Sequence, residues 1–235
     1  CMSLINEWYN ARKNYAPFVD DGIFDSETFN AQKNKILFVL KEADWKNGIP
    51  GQRENLCSTL LNKDGGSWKS WNNIARWSKA ILDNGEYPEN ISCEERHNTL
   101  CRIAAINLKK EAGGAYANGK SLIKFAIDDA EFLKRQIDEI APNIIICCGY
   151  SRPKSNAEIL YENVLFPNNK PEWQYIPTTQ NNVWFFEYQN IPVVSFYHPM
   201  CIKGQKGIRG HELFKLRFLQ MKEIADYFRA KGKIN

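Results

Sequence analysis

The chain has 235 residues, 31 Lys+Arg against 27 Asp+Glu for a formal charge of +4, with 43% hydrophobic and 13% aromatic residues. That is enough apolar material for one sizeable core, which excludes a disordered or low-complexity chain. No apolar run approaches the roughly 20 residues of a membrane helix, and so small a net charge is not by itself a nucleic-acid signature. With Cys1 ahead of Met2 set aside and no basic or apolar leader over Met2–Glu7, the expectation is a cytoplasmic, monomeric protein of one domain over 1–235.

In chain order, a helix is expected over Leu4–Tyr15. The run Lys35–Leu40 is apolar on successive positions and ends in Lys41-Glu42-Ala43-Asp44. Ser67–Asn84 carries Trp71, Ile74, Ala75, Trp77, Ile81 and Leu82 at helical spacing and stops at Gly85. Arg102–Ile106 is a second apolar run, ending at Asn107. Ser121–Ile140 reads as one helix, halted by Pro142. Asn143–Cys148 is a third run, ending at Gly149-Tyr150. The tract 150–189 is polar and poorly periodic, so it reads as an insertion or a long excursion. Pro192–Tyr197 is the fourth run, ending at His198-Pro199, and Gly210–Ala230 is a final amphipathic helix.

Continuous apolar runs are the habit of strands buried on both faces, as in parallel sheets. Their alternation with helices predicts an α/β domain with a central, mostly parallel four-stranded sheet and helices on both faces. Ligands of such sheets bind outside the carboxyl ends of the strands. Those ends carry Glu42, Asp44, Asn107 and His198, a set that suits a small polar ligand or a group the size of a base.

Each of these residues also has a plainer reading. The acids serve equally as solvated loop residues or a helix cap, Asn107 as a turn residue, and His198 as an ordinary hydrogen-bonded strand cap. Seven cysteines include no C-x-x-C pair; Cys93-His97-Cys101 and His198…Cys201 complete no four-ligand set, and Cys147-Cys148 read as small core hydrophobes. No metal and no cofactor are expected. Trp71 and Trp77 fit a core, whereas Trp68, after Gly65-Gly66, is the better platform for stacking a base. The loop from Lys203 to Gly210 holds Lys203, Lys206 and Arg209, three glycines and no acid, ahead of a helix start. It is either a solvated loop or a phosphate contact. Lys109-Lys110 and Lys120 are expected to add to a basic rim.

Four segments in order resemble the uracil-DNA glycosylase superfamily over roughly residues 35 to 225. They are Leu40-Lys41-Glu42-Ala43-Asp44-Trp45, Ala105-Ile106-Asn107-Leu108, the helix Phe132–Ile137 leading into Asn143–Gly149, and Ser195-Phe196-Tyr197-His198-Pro199-Met200. Gly207–His211 resembles the loop that follows the family's His-Pro motif. The resemblance implies hydrolysis of the N-glycosidic bond of uracil or a related deaminated base, flipped out of DNA. Asn107 would read its Watson–Crick edge and His198 would donate to O2 of the departing base. Glu42 or Asp44 would hold water and steady the positive sugar, and Trp45, Trp68 or Trp71 would stack on the ring. DNA is the implied partner, contacted through Lys203, Lys206, Arg209 and Gly210. The chain departs from the thermostable branch, whose loop reads glycine, glutamate, alanine, proline, glycine. Lys41 and Trp45 replace glycines, Asp44 replaces proline, Met200 replaces the serine usual in the family, and the iron–sulfur cysteines are missing. These departures keep a second reading open: a relative of the same fold that binds nucleic acid or a nucleotide without excising a base.

Overall fold

The four apolar runs form the parallel centre of one sheet. In the computed structural model, which describes residues 3–44, 48–62, 69–114, 118–201 and 207–235, they become β3 (Ile36–Leu40), β5 (Ala104–Asn107), β6 (Ile144–Cys148) and β11 (Ile191–Phe196). They lie in the order β5-β3-β6-β11, every neighbouring pair parallel. Around them stand α1 (Leu4–Ala11), β1 (Phe18–Asp20), β2 (Gly22–Ile23), α2 (Ser26–Asn30), β4 (Arg53–Asn55), α3 (Leu56–Asn62), α4 (Lys69–Leu82) and α5 (Cys93–Leu100). Further along come α6 (Gly119–Asp128), α7 (Ala130–Ile140), β7 (Tyr150–Ser151), β8 (Lys154–Ser155) and α8 (Asn156–Leu160), which runs into a π-helical turn Tyr161–Leu165. β9 (Gln174–Ile176), β10 (Val183–Tyr188) and α9 (Gly210–Ala230) complete the set.

The sheet is larger than the expected four strands and is mixed. Seven strands join in the order β2-β5-β3-β6-β11-β10-β9, with β2, β10 and β9 antiparallel to their neighbours. The cause at one edge is a tight turn. Tyr188 pairs with Ile191 across Gln189 and Asn190, both at positive φ, and two such residues make the hairpin turn whose twist matches its strands. The tract 150–189 is built into the fold: it supplies a short hairpin, α8 with its Ser155 capping box, and two sheet strands.

Alternate side chains divide the core between the two faces of the sheet. Ile36, Phe38, Ala105, Ile146 and Val194 pack with Trp71, Ile74 and Trp77 of α4 and Phe218, Met221 and Ile224 of α9. Leu37, Val39, Ala104, Ile106, Ile145 and Cys147 pack on the opposite side with Trp8, Leu122, Ala126, Leu133 and Ile137. Helices therefore cover both faces, as the strand pattern requires. The expected helix 121–140 is two helices, broken at Asp129. Asp129 leaves helical geometry there (φ −109°, ψ 12°), and its fully buried carboxylate accepts from Arg12 Nε at 2.6 Å and Tyr15 Oη at 2.9 Å. The first helix stops at Ala11, four residues short of its expected end, while α9 spans the expected residues. Among the described residues no helix is long and apolar enough to cross a membrane.

Candidate active site

Beyond the ends of β3 and β5 the two segments stay together. Leu108 N–H donates to Leu40 O and Lys109 N–H to Lys41 O, both at 3.0 Å, and Gly113 N–H donates to Ala43 O at 2.9 Å. This pairing carries Lys41, Glu42, Ala43 and Asp44 past the sheet edge as one wall of a cavity of about 670 Å³. Asn107 at the end of β5 and His198, Pro199 and Met200 after β11 form a second wall; Leu56 and Lys69, Ser70, Trp71 and Ile74 of α4 close the third. The volume falls within the roughly 300–1,000 Å³ of small-molecule sites. Glu42, Asp44, Asn107 and His198 all line this one cavity.

His198 is held in a defined state. Its Nδ1 accepts the Met200 backbone N–H at 3.1 Å, so in the neutral ring the proton sits on Nε2. Burial, with a smaller contribution from the Lys41 cation, pushes its pKa down to about 4, so the ring is neutral near pH 7. Two neighbours fix its position. Gly149, at φ +103°, lies so close that a Cβ there would stand 3.2 Å from the imidazole. Asn73, buried on α4, donates Nδ2 to Pro199 O at 2.7 Å and pins the turn from behind.

Glu42 has a side chain only 5% exposed and pairs with Lys109 Nζ at 3.2 Å. Its carboxylate packs on Gly113, where a Cβ would meet it at 2.4 Å, so a larger residue there fits only if the carboxylate moves. Asp44 is exposed at the mouth and bridges to Gly113 through its backbone. Asn107 is 1% exposed and is tied to Asp21: its backbone N–H (2.8 Å) and its Nδ2 (3.0 Å) both donate to Asp21 Oδ2. Asp21 Oδ1 in turn accepts from Lys110 Nζ at 2.5 Å and Gln136 Nε2 at 3.1 Å.

Several expectations change here. Lys109 and Lys110 are not part of a basic rim. Lys110 is fully buried against Asp21 and over the Trp8 ring, where burial pulls its ammonium below the usual range while Asp21 opposes that pull. Lys109 is turned inward onto Glu42 and the Phe125 ring. Trp71 is both core and cavity wall, packing edge-to-face on Phe24. Trp45, Trp68, Lys203 and Lys206 lie outside the described residues. Arg209 is exposed beside Gly210, which opens α9 at φ +60°; neither lines the cavity. His97 is exposed and His211 pairs with Glu89. Among the described residues no group of three or more His, Cys, Asp and Glu stands together as a metal-ligand set.

Asp21, Asn73 and Gln136 are the parts of this site that sequence reasoning missed, and Lys109 and Lys110 are parts it placed on a rim instead. Asp21 lies between two strands of only three and two residues, and Asn73 carries no mark that separates it from any polar helix residue. The one available signal is the Lys109-Lys110 pair itself, placed directly after a buried strand end. Comparison with family models, with curated proteins and with solved structures finds no match to this chain.

Proposed function

We propose that this chain hydrolyses the N-glycosidic bond of uracil or a related deaminated base in DNA. One observation carries the reading: a neutral histidine with its proton on Nε2 shares a cavity with a buried asparagine and a buried glutamate. When the C1′–N1 bond breaks, its electron pair passes to the base and the sugar becomes an oxocarbenium-like cation. A fixed Nε2–H donor stabilises the anion growing on O2 without reorganising, and a neutral ring does not have to give up a proton. The Glu42 carboxylate, held in place by Lys109 and Gly113, steadies the cation and orients the water that adds to C1′, whose released proton neutralises the departed base anion. Asn107 reads the base edge, and Trp71 offers a ring face.

The test uses oligonucleotides carrying uracil at one position, single- and double-stranded, with protein in excess and alkali-labile abasic sites as the readout. Cleavage by the native chain is expected, with H198A slower by about 10²–10³-fold and E42Q also impaired. No abasic site across uracil, hypoxanthine and xanthine substrates would remove the proposal. A second reading draws on the closeness of Glu42 to Lys109, which engages the carboxylate, and on Lys41 and Lys69 at the cavity wall. Two cations there suit the phosphate of a bound nucleotide, and this reading predicts nucleotide binding with no base released.

A further inference from the structure

Asp21 does not line the cavity, yet the Asn107 backbone N–H and side-chain Nδ2 both donate to it, while Lys110 Nζ holds the Asn107 backbone carbonyl at 3.0 Å. A carboxamide has two nearly equivalent ends. Rotated by half a turn, it presents oxygen where nitrogen was, so an unrestrained asparagine accepts either a lactam edge (N–H beside C=O) or an amidine edge (ring nitrogen beside NH₂). Asp21 removes that freedom, because an ionised carboxylate only accepts. Oδ2 takes the Asn107 Nδ2–H at 3.0 Å and the Asn107 backbone N–H at 2.8 Å. A half-turn would set the amide oxygen against Oδ2 in a buried site, with no donor between them. Lys110 and Gln136 hold the carboxylate from its other side, at 2.5 and 3.1 Å on Oδ1, so it cannot swing away. Gln136 Nε2 also donates to the Asp21 backbone carbonyl at 2.9 Å, fixing the segment itself.

We infer that Asp21 is a positioning residue: by accepting the Asn107 amide N–H it turns the amide oxygen to the cavity and restricts the site to bases presenting an N–H beside a carbonyl. Uracil and hypoxanthine carry that edge; cytosine and adenine carry its inverse. The inference rests on the proposed function for the location of the ligand, but not on any hydrolysis. Its physical content is a preference among flat heterocycles, which binding alone reports.

The experiment titrates free uracil, hypoxanthine, cytosine and adenine into the ¹⁵N-labelled full chain, following amide shifts of cavity residues and the Asn107 side-chain NH₂. The native chain is expected to favour uracil over cytosine by about tenfold or more. The D21N/K110M variant removes both charges of the buried pair together, and D21N alone is the second variant; in either, the ratio falls toward one. A native chain that binds cytosine as well as uracil, or a folded variant that keeps the native ratio, overturns the inference. If neither variant folds, the Asn107 side-chain NH₂ of the native chain decides: one proton held on Asp21 is expected, and two freely exchanging protons overturn the inference. Selective binding with no base released from oligonucleotides leaves the role of Asp21 standing and removes the glycosylase reading. No binding by any of the four bases removes the inference about Asp21, while release of base from oligonucleotides decides the glycosylase reading separately.

Discussion

The state of His198 is the sharpest quantity that the site offers. The sequence contains three histidines, so their ring signals separate readily in an NMR titration, with H97N and H211N variants assigning the other two. His198 is expected to stay neutral until its pKa of about 4, against an ordinary value of 6.5. The sign of the stability effect follows directly. Between these values the unfolded chain binds a proton that the folded chain refuses, so the contribution is complete above pH 6.5 and is lost as the pH falls toward 4. At 1.36 kcal/mol per pH unit, the interval amounts to at most about 3 kcal/mol. For a chain of this size that corresponds to roughly 6–12 °C in Tm. Comparing the native chain with H198Q at pH 7 and pH 4 isolates the effect, since titration of the other groups cancels between the two proteins. The native chain should lose more Tm than the variant by up to that amount. Removing Lys41 as K41Q should move the midpoint only part of the way back, because burial is the larger cause. The nitrogen shifts should report the proton on Nε2. A midpoint near 6.5, a proton on Nδ1, or equal acid losses in the two proteins would refute the reasoning.

Three other perturbations test the supports of the site. K110M leaves the Asp21 carboxylate buried without its cation and should cost about 3–5 kcal/mol in urea unfolding, with D21N/K110M recovering most of it; native-like stability in K110M would mean that the pair carries no such energy. G113A places a methyl within 2.4 Å of the Glu42 carboxylate, so Glu42 must move. Base release should drop by tenfold or more while the fold persists, and full activity in G113A would show that the position of Glu42 is immaterial. N73A strips the 2.7 Å bond from the Pro199 carbonyl and should cost about 1–3 kcal/mol, lowering kcat rather than raising KM. A rise in KM alone would place the His-Pro turn in substrate binding instead.

Much of the framework was readable before any tertiary contact was known. The four central strands coincide with four apolar runs, because a strand covered on both faces has no polar positions to spare. Helix α9 matches its apolar periodicity from Gly210 to Ala230. The edge strands escaped notice because Val183–Tyr188 sits inside a polar tract and Gly22–Ile23 is only two residues long. The break at Asp129 was not legible because the partners of the acid that stands there, Arg12 and Tyr15, lie more than a hundred residues away.

At the site, the chain alone determined which groups stand at the strand ends: Glu42, Asp44, Asn107 and His198 follow from where each apolar run stops. What they face was decided only by folding. Lys109 and Lys110 have the same chemistry as any surface lysine, and nothing local distinguishes a cation that will meet water from one that will meet a buried carboxylate. Asp21 reaches Asn107 and Lys110 only once β2 has paired with β5. The Met200 amide reaches the His198 ring only within the turn that Asn73 holds. Periodicity records which side of a segment is apolar, whereas hydrogen-bond direction and charge pairing depend on neighbours far along the chain, and those exist only in three dimensions.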